Sequence, residues 1–304
     1  MKRKIICLGE ALVDVYNNNG TLTEEIGGAS FNVAASLGKL KNELLFLGAV
    51  GNDQQGKAII NKMNDYNIQT DYLQVDSQAT TKALVTLDEF NERNFQFVRG
   101  ADQNYSLNIE EIKKENIAAI HFGSATAFLG GSLQQAYNQL VEYAIANKIY
   151  FSFDPNFRDK LWNTPKKVAE FVVYCQPLLK NASLIKLSEE ELEILSSGDS
   201  NIERLQNLEK INPEALICIT QGSKGTLFAW KQQIDEVPVL KSNCVVDTTG
   251  AGDSFIAGLI NEVLNRQITS ESEMDEIFAA IYAANSFAKA SVEHIGALTF
   301  LNFI

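Results

Sequence analysis

The segment Asp247-Thr248-Thr249-Gly250-Ala251-Gly252-Asp253-Ser254-Phe255 gathers two carboxylates and two hydroxyls around a glycine-rich turn. Apolar residues follow it at helical spacing, Ile256, Leu259, Ile260, Val263 and Leu264, so a helix is predicted from about Gly252. Gly250, Ala251 and Gly252 then fall where the first backbone N–H groups lack intrahelical partners. Such donors, at the positive end of the helix dipole, bind anions, and glycine lets a phosphate approach the backbone closely. Asp253 in the first turn would stand beside that anion, kept ionised at neutral pH by the dipole. It could take the proton of a hydroxyl held in line with a phosphoryl group. The plain alternative, a tight turn followed by a helix-start carboxylate, stays open on these residues alone. A dinucleotide fingerprint is excluded, since Phe255 stands where its third glycine would fall.

Other segments offer weaker chemistry. Gly51-Asn52-Asp53-Gln54-Gln55-Gly56-Lys57-Ala58 fits GxxxxGK, but Ala58 has no hydroxyl for magnesium and Asp53 would aim a carboxylate into a phosphate cradle. Gly27-Gly28-Ala29-Ser30-Phe31-Asn32 leads into an alanine-rich helix ending near Leu40; Asn32 could face a polyol or serve as a cap. Arg158, in Asp154-Pro155-Asn156-Phe157-Arg158 after a buried strand, could clamp a phosphate or a hydroxyl-rich substrate, or lie on the surface. Ser188-Glu189-Glu190-Glu191 could hold magnesium-bound water or simply compensate a helix dipole. Ile219-Thr220-Gln221-Gly222-Ser223-Lys224-Gly225 ends a strand in a turn suited to backbone contact with a nucleotide. Only His121 and His294 are present, so a zinc site or histidine-dependent triad has little to be built from.

The elements that must position these groups alternate short apolar runs with longer helical periods, the rhythm of βαβ units and a mostly parallel sheet. Strands are predicted at Lys4 to Gly9, Leu44 to Val50, Ile117 to Phe122, Tyr150 to Asp154, Leu184 to Leu187 and Leu216 to Thr220. Helices are predicted over Gln54 to Tyr66, Ser132 to Asn147 and Thr164 to Lys180, the last starting at Thr164-Pro165. Two hairpins break the rhythm. One joins Lys82 to Asp88 and Asn94 to Arg99 through Glu89–Arg93, the other spans Val13 to Gly28 with Asn17-Asn18-Asn19-Gly20 as its turn. They could pair into a lid over a cleft or extend the main sheet.

The 304 residues, 45% apolar and 21% charged, suffice for one large or two modest globular domains. No internal repeat or linker marks a boundary. A net charge of −12 sets the mean field against nucleic acid and anionic membrane, and no apolar run reaches the roughly 18 residues of a membrane span. The opening Met-Lys-Arg-Lys-Ile-Ile-Cys-Leu imitates a signal peptide, but Glu10 and Asp14 interrupt it, and it reads as a first strand. Cys7, Cys175, Cys218 and Cys244 show no CxxC spacing; three are expected in apolar strand surroundings, and a reducing cytoplasm is the expected compartment.

Together these motifs resemble the ribokinase-like, or PfkB, family of carbohydrate kinases along essentially the whole chain. GGASFNVAASLGKL is similar to the family's first signature and DTTGAGDSF to its second, in the family's order and separation. GEALVDVY and DPNFRDKLW look most like bacterial fructokinases, with 2-keto-3-deoxygluconate kinases the nearest rival. The resemblance implies a three-layer α/β/α sandwich over residues 1–304 with β lid segments at about 13–28 and 70–102. It implies ATP-dependent phosphorylation of the 6-hydroxyl of fructose, with magnesium and, in many members, potassium. It makes Asp253 the base and Gly250, Ala251 and Gly252 the anion hole. Asp14, Gly28 and Asn32 match sugar-binding positions, and Arg99 and Arg158 match basic groups near the substrate. Thr220, Gly222 and Gly225 match the nucleotide loop and Asn285 a residue near the adenine. Asp247 and Thr249, with main-chain oxygens near Ser291, His294 and Gly296, match the monovalent-cation loop. Two departures stand out: the family's NxxE appears as Ser188-Glu189-Glu190-Glu191, which makes Glu191 the choice for magnesium water, and His294 stands where arginine is frequent. A homodimer through the lid and a small sugar as the partner complete the expectation.

Overall fold

Ile5 and Cys7 pack on one face of their strand and Ile6 and Leu8 on the other, all four buried. A strand apolar on both faces belongs inside a sheet covered by helices on each side. The computed structural model describes residues 3–18, 21–87, 93–242 and 244–304. Its first strands are β1 (Lys4–Leu8), β2 (Leu12–Asn18), β3 (Thr21–Gly27), β4 (Leu44–Gly51), β5 (Ile68–Gln69), β6 (Leu73–Asp76), β7 (Lys82–Leu87) and β8 (Arg93–Val98). There follow β9 (Ile117–Phe122), β10 (Phe151–Phe153), β11 (Leu184–Ser188), β12 (Leu216–Thr220), β13 (Thr226–Trp230) and β14 (Gln233–Val237). The helices are α1 (Ala29–Lys39), α2 (Gln54–Asp65), α3 (Ile109–Ile112), α4 (Gly131–Ala146), α5 (Pro165–Asn181), α6 (Glu189–Leu195), α7 (Asn201–Ile211), α8 (Ala251–Arg266) and α9 (Met274–Val292).

The main sheet runs β14-β13-β12-β11-β10-β9-β1-β4-β5, with β6 also paired to β4. From β12 through β5 every pairing is parallel, and only the β12–β13–β14 meander at one edge is antiparallel. One core layer joins the odd side of β1 to α1, α2, α8 and α9; the other joins the even side to α3 through α7. The sandwich is therefore α/β/α, as expected, and its parallel strands deliver their following loops to one edge, where open α/β sheets bind ligands.

The two hairpins pair with each other rather than with the main sheet, giving a separate sheet β3-β2-β7-β8 whose central β2–β7 pairing is parallel. The hairpin turns expected at Asn17–Gly20 and Glu89–Arg93 fall at residues 19–20 and 88–92 outside the described residues. The segment 70–102 does not all join this sheet. Its first strand, β6, pairs with β4 because Leu73 to Asp76 run beside Gly48 to Gly51. The cysteine expectation needs a similar correction: Cys7 and Cys218 lie on strands, but Cys175 is inside α5 and Cys244 is an exposed coil residue, so two, not three, are strand thiols. Among the described residues no helix is long and apolar enough to cross a membrane.

Candidate active site

Gly250 caps α8 in the left-handed region at φ 75°, and a Cβ there would stand 2.5 Å from the Ala297 Cβ. Glycine is required on both counts. The helix begins one residue earlier than expected, at Ala251, and it carries Asp253 in its buried first turn. Asn32, one turn into α1, donates its Nδ2–H to Asp253 Oδ2 at 2.8 Å. It is therefore not a cap. The buried Oδ1 of the same amide has no hydrogen-bond partner, so it can accept from a hydroxyl brought to Asp253. Asp14 lies alongside, because a Cβ on Gly27 would meet Asp14 Oδ2 at 2.8 Å and Asn32 Oδ1 at 3.9 Å. Gly28 caps α1 at φ 110°, with its α-carbon against the Glu10 backbone, where a Cβ would be 2.7 Å from the carbonyl oxygen.

Burial pushes the Asp253 carboxyl above the ordinary aspartate value, opposed by the Asn32 hydrogen bond and the Arg158 and Lys186 charges and assisted by Glu191. The dipole is not the dominant influence here; desolvation is. Arg158 is an exposed residue, as its surface alternative required, with its guanidinium folded back to donate to the Phe157 carbonyl at 2.9 Å and to Asn156 Oδ1 at 3.2 Å. Lys186, on β11, donates to Asp154 Oδ2 at 3.0 Å, and a Cβ on Gly252 would be 3.0 Å from its Nζ. Burial alone would favour neutral Lys186, but Asp154, Glu191 and Asp253 hold its proton on. Burial, Glu191 and Asp253 push Asp154 up while Lys186 pulls it down. The helix start thus carries a fixed ammonium beside its first N–H groups, of which that of Ala251 already donates to the Thr248 carbonyl at 3.2 Å.

Glu191 sits in a capping box with Ser188, the serine that replaces the family's asparagine: Glu191 N–H donates to Ser188 Oγ at 3.1 Å and Ser188 N–H to Glu191 Oε2 at 2.8 Å. Its Oε1 accepts from Phe157 N–H at 2.8 Å. Each oxygen keeps a second lone pair that could accept from a metal-bound water, although the side chain is buried. Among the described residues no group of three or more His, Cys, Asp or Glu side chains could hold a metal ion. The neighbouring Glu189 accepts from Asn201, Gln221 and Lys224 instead.

A cavity of about 550 Å³ opens onto the start of α8 and is lined by Thr220, Gly222, Gly225, Asn285, Ala251 and Gly252, with Val239, Val245, Ala288 and Val292 as apolar wall. Its size and mixed lining suit a nucleotide. Asn285 Oδ1 accepts from Thr226 Oγ1 at 2.9 Å, while its buried Nδ2 has no partner. Asp247 Oδ1 accepts from the Thr249 N–H at 3.0 Å and hydroxyl at 2.7 Å, and its Oδ2 from Gly296 N–H at 3.0 Å. The loop before α8 is thereby fastened to residues 291–296, where His294 N–H donates to the Ser291 carbonyl at 3.2 Å and the His294 ring stacks on Phe303. Arg99 turns to Asp102 at 3.1 Å and to the Leu129 carbonyl at 3.0 Å, at the root of the small sheet. The GxxxxGK decoy is settled too, since Asp53 caps α2 through Gly56 N–H at 2.8 Å and binds the Thr80 N–H and hydroxyl.

The model of the pfkB family of carbohydrate kinases matches residues 2–302. The chain belongs to that family. Among curated relatives of this pfkB kinase, a fructokinase of Klebsiella pneumoniae is 32% identical over 86% of this chain and 84% of its own length. A probable chloroplastic fructokinase of Arabidopsis thaliana is 31% identical over 97% of this chain and 78% of its own. The fructokinase of Vibrio cholerae, solved with fructose, ADP and calcium ion bound, superposes with a TM-score of 0.84 at 28% identity, covering 98% of this chain and 96% of that one. A double-mutant form of that enzyme carries fructose, ADP and potassium ion at a TM-score of 0.83 and 27% identity, covering 98% and 95%. This pfkB kinase is thus a phosphotransferase with an alcohol acceptor, acting on a sugar and a nucleotide.

Sequence reasoning passed over Lys186, Asp154 and Glu10. For Lys186 the signal was available: a lysine inside the apolar run Leu184-Ile185-Lys186-Leu187 is 6% exposed on a central strand, where an unpaired charge is untenable.

Proposed function

We propose that this kinase transfers the γ-phosphoryl group of MgATP to the 6-hydroxyl of fructose, with Asp253 as the base. The observation that carries the reading is the Asn32–Asp253 hydrogen bond at the start of α8: a carboxylate raised toward neutrality by burial, with an acceptor-ready amide beside it, stands where the first N–H groups await a phosphoryl group. The sugar lies against Asp14, Gly28 and Asn32. Its hydroxyl gives its proton to Asp253, and Gly250 and Gly252 donate N–H groups to the transferring phosphoryl oxygens, joined by Ala251 when its N–H turns from the Thr248 carbonyl. Lys186 and Arg158 supply fixed positive charge beside them, the kind of preorganised stabilisation that phosphoryl transfer needs. Magnesium, held through water by Glu191, neutralises phosphate charge when bound. Potassium at the loop of Asp247, Thr249 and residues 291–296 steadies the anion hole. The nucleotide occupies the cavity by Thr220, Gly222, Gly225 and Asn285.

The small sheet acts as a lid over the sugar, tied to the main body by Arg99 and Asp102, and its exposed Val98 and Leu22 are suited to pairing with a second copy. Four free cysteines accord with a reducing, cytoplasmic setting. The deciding experiment is a coupled ADP-release screen over fructose, tagatose, ribose, 2-keto-3-deoxygluconate and adenosine. Fructose should give the highest kcat/KM, and a tenfold preference for 2-keto-3-deoxygluconate would overturn the assignment.

A further inference from the structure

Glu10 is fully buried at the end of β1, and its carboxylate is shared by two segments far apart in sequence. Oε1 accepts from Ala29 N–H at 3.0 Å and from Ala125 N–H at 3.2 Å, and Oε2 accepts from the Ser124 hydroxyl. Gly28, the cap of α1, offers no side chain to the helix start, and Glu10 satisfies the first orphan donor, the Ala29 N–H, from outside the helix. One turn further on, Asn32 reaches Asp253. Ser30 fastens the same turn by donating toward the Leu8 and Gly123 carbonyls. A buried carboxylate carries a large desolvation penalty, and here it is retained beside Asp102, which raises the Glu10 pKa further. A cap made of a neutral group would serve stability equally well, so the placement calls for another reason.

We propose that Glu10 is a positioning residue for phosphoryl transfer: by clamping the start of α1 to the 124–126 loop it sets the angle from which Asn32 orients the Asp253 carboxylate. The inference rests on the reading of Asp253 as base and adds a residue that touches neither sugar nor nucleotide. Geometry of this kind is worth much, since a displacement near 1 Å can lower a rate about 10²-fold.

The test compares the parent protein with Glu10→Gln, Asn32→Ala and the double variant, reading kcat, KM for fructose, KM for ATP and the acid limb of kcat/KM. The charged groups acting on that limb are Arg158, Lys186, Glu191 and Asp154 around Asp253, and none of them is changed. Glu10→Gln should lower kcat/KM for fructose by about 10- to 10²-fold with KM for ATP unchanged. Its acid limb should move to higher pH, as in Asn32→Ala, because Asp253 loses the bond that favours its ionised form. The double variant should be no worse than Asn32→Ala by more than about twofold. Unaltered fructose kinetics in Glu10→Gln, an unmoved acid limb, or multiplicative losses in the double variant would each overturn the proposal. Should Glu10→Gln fail to fold, Ser124→Ala, which removes the hydroxyl that donates to Glu10 and accepts from the Thr126 and Ala127 N–H groups but changes no charge, must show the same limb shift in milder form or the proposal falls. If Asn32→Ala itself is fully active, the reading of the site fails; if it is impaired and Glu10→Gln is not, only the positioning role fails.

Discussion

Asn32 and Asp253 are separated by 221 positions in the chain, and a single 2.8 Å hydrogen bond joins them where the first turns of α1 and α8 meet. The bond spends the amide's donor on the carboxylate and leaves its buried acceptor without a partner, so under the proposed mechanism one asparagine would both orient the base and accept from the hydroxyl that the base deprotonates.

Asp253→Asn keeps the shape and removes the base. A positioned base contributes roughly 10²–10⁴-fold, about 3–5 kcal/mol of barrier, so kcat should fall within that range while ATP affinity measured by calorimetry is retained. A kcat within threefold of the parent would rule the base out.

Removing the Asn32 amide acts on the same carboxylate from the other side. Because that hydrogen bond lowers a pKa that burial has raised, Asn32→Ala should lift it further, and activity should be lost at a higher pH as the solution is acidified. A pH–rate profile of kcat/KM gives the answer, and a limb that stays in place or moves down contradicts the geometry.

Gly250→Ala would force a side chain into the left-handed region and against Ala297. Strain of this kind amounts to about 1–3 kcal/mol, which should appear as a lowered melting temperature together with a loss of kcat larger than any change in KM for sugar. Calorimetry alongside steady-state kinetics distinguishes this from a purely local effect; wild-type values in both would mean the turn tolerates L-residues.

The loop joined by Asp247 and Gly296 leads directly into the start of α8, the anion hole of the proposed mechanism, so a cation seated there should raise kcat. Turnover measured with a bulky organic cation, then with potassium restored at constant ionic strength, should rise severalfold. A flat response would leave the departure at His294 as the reason.

His121 carries a pH signature of its own. Buried beside Ser152 and near the Lys186 charge, it has its pKa lowered from about 6.5 to about 3, burial being the larger cause. The unfolded chain therefore binds a proton that the folded one refuses. The stability that neutral His121 confers is complete above pH 6.5 and is lost progressively as pH falls from there toward 3. Urea unfolding across that window should show a slope that His121→Asn flattens.

How much of this was legible beforehand follows from sequence distance. The anion hole and Asp253 could be read because the glycines, the carboxylate and the helix they open are contiguous, and the strands because residues such as Ile5 to Leu8 bury both faces. The ionisation of Asp253 was read from the helix dipole alone; burial, which no local pattern reveals, outweighs it. Lys186, Asp154 and Glu10 escaped because their partners lie 32, 32 and 114 positions away. Cys175 lies inside the helix expected over Thr164 to Lys180, and the miscounted strand thiol is Cys244, whose neighbours Val245 and Val246 are apolar but lie exposed outside any strand.

The approach of Ala297 to Gly250 bears on when the protein first becomes active. During synthesis the strands of the sheet emerge in turn, and a domain can begin to fold as it leaves the ribosome. The turn at Gly250 has no wall behind it, and Asp247 no backbone amide at Gly296 to accept from, until residues 291–297 are out. A chain with most of its sheet in place but residues 291–297 not yet docked would therefore be catalytically silent, and turnover should arise abruptly when that segment docks rather than growing with length.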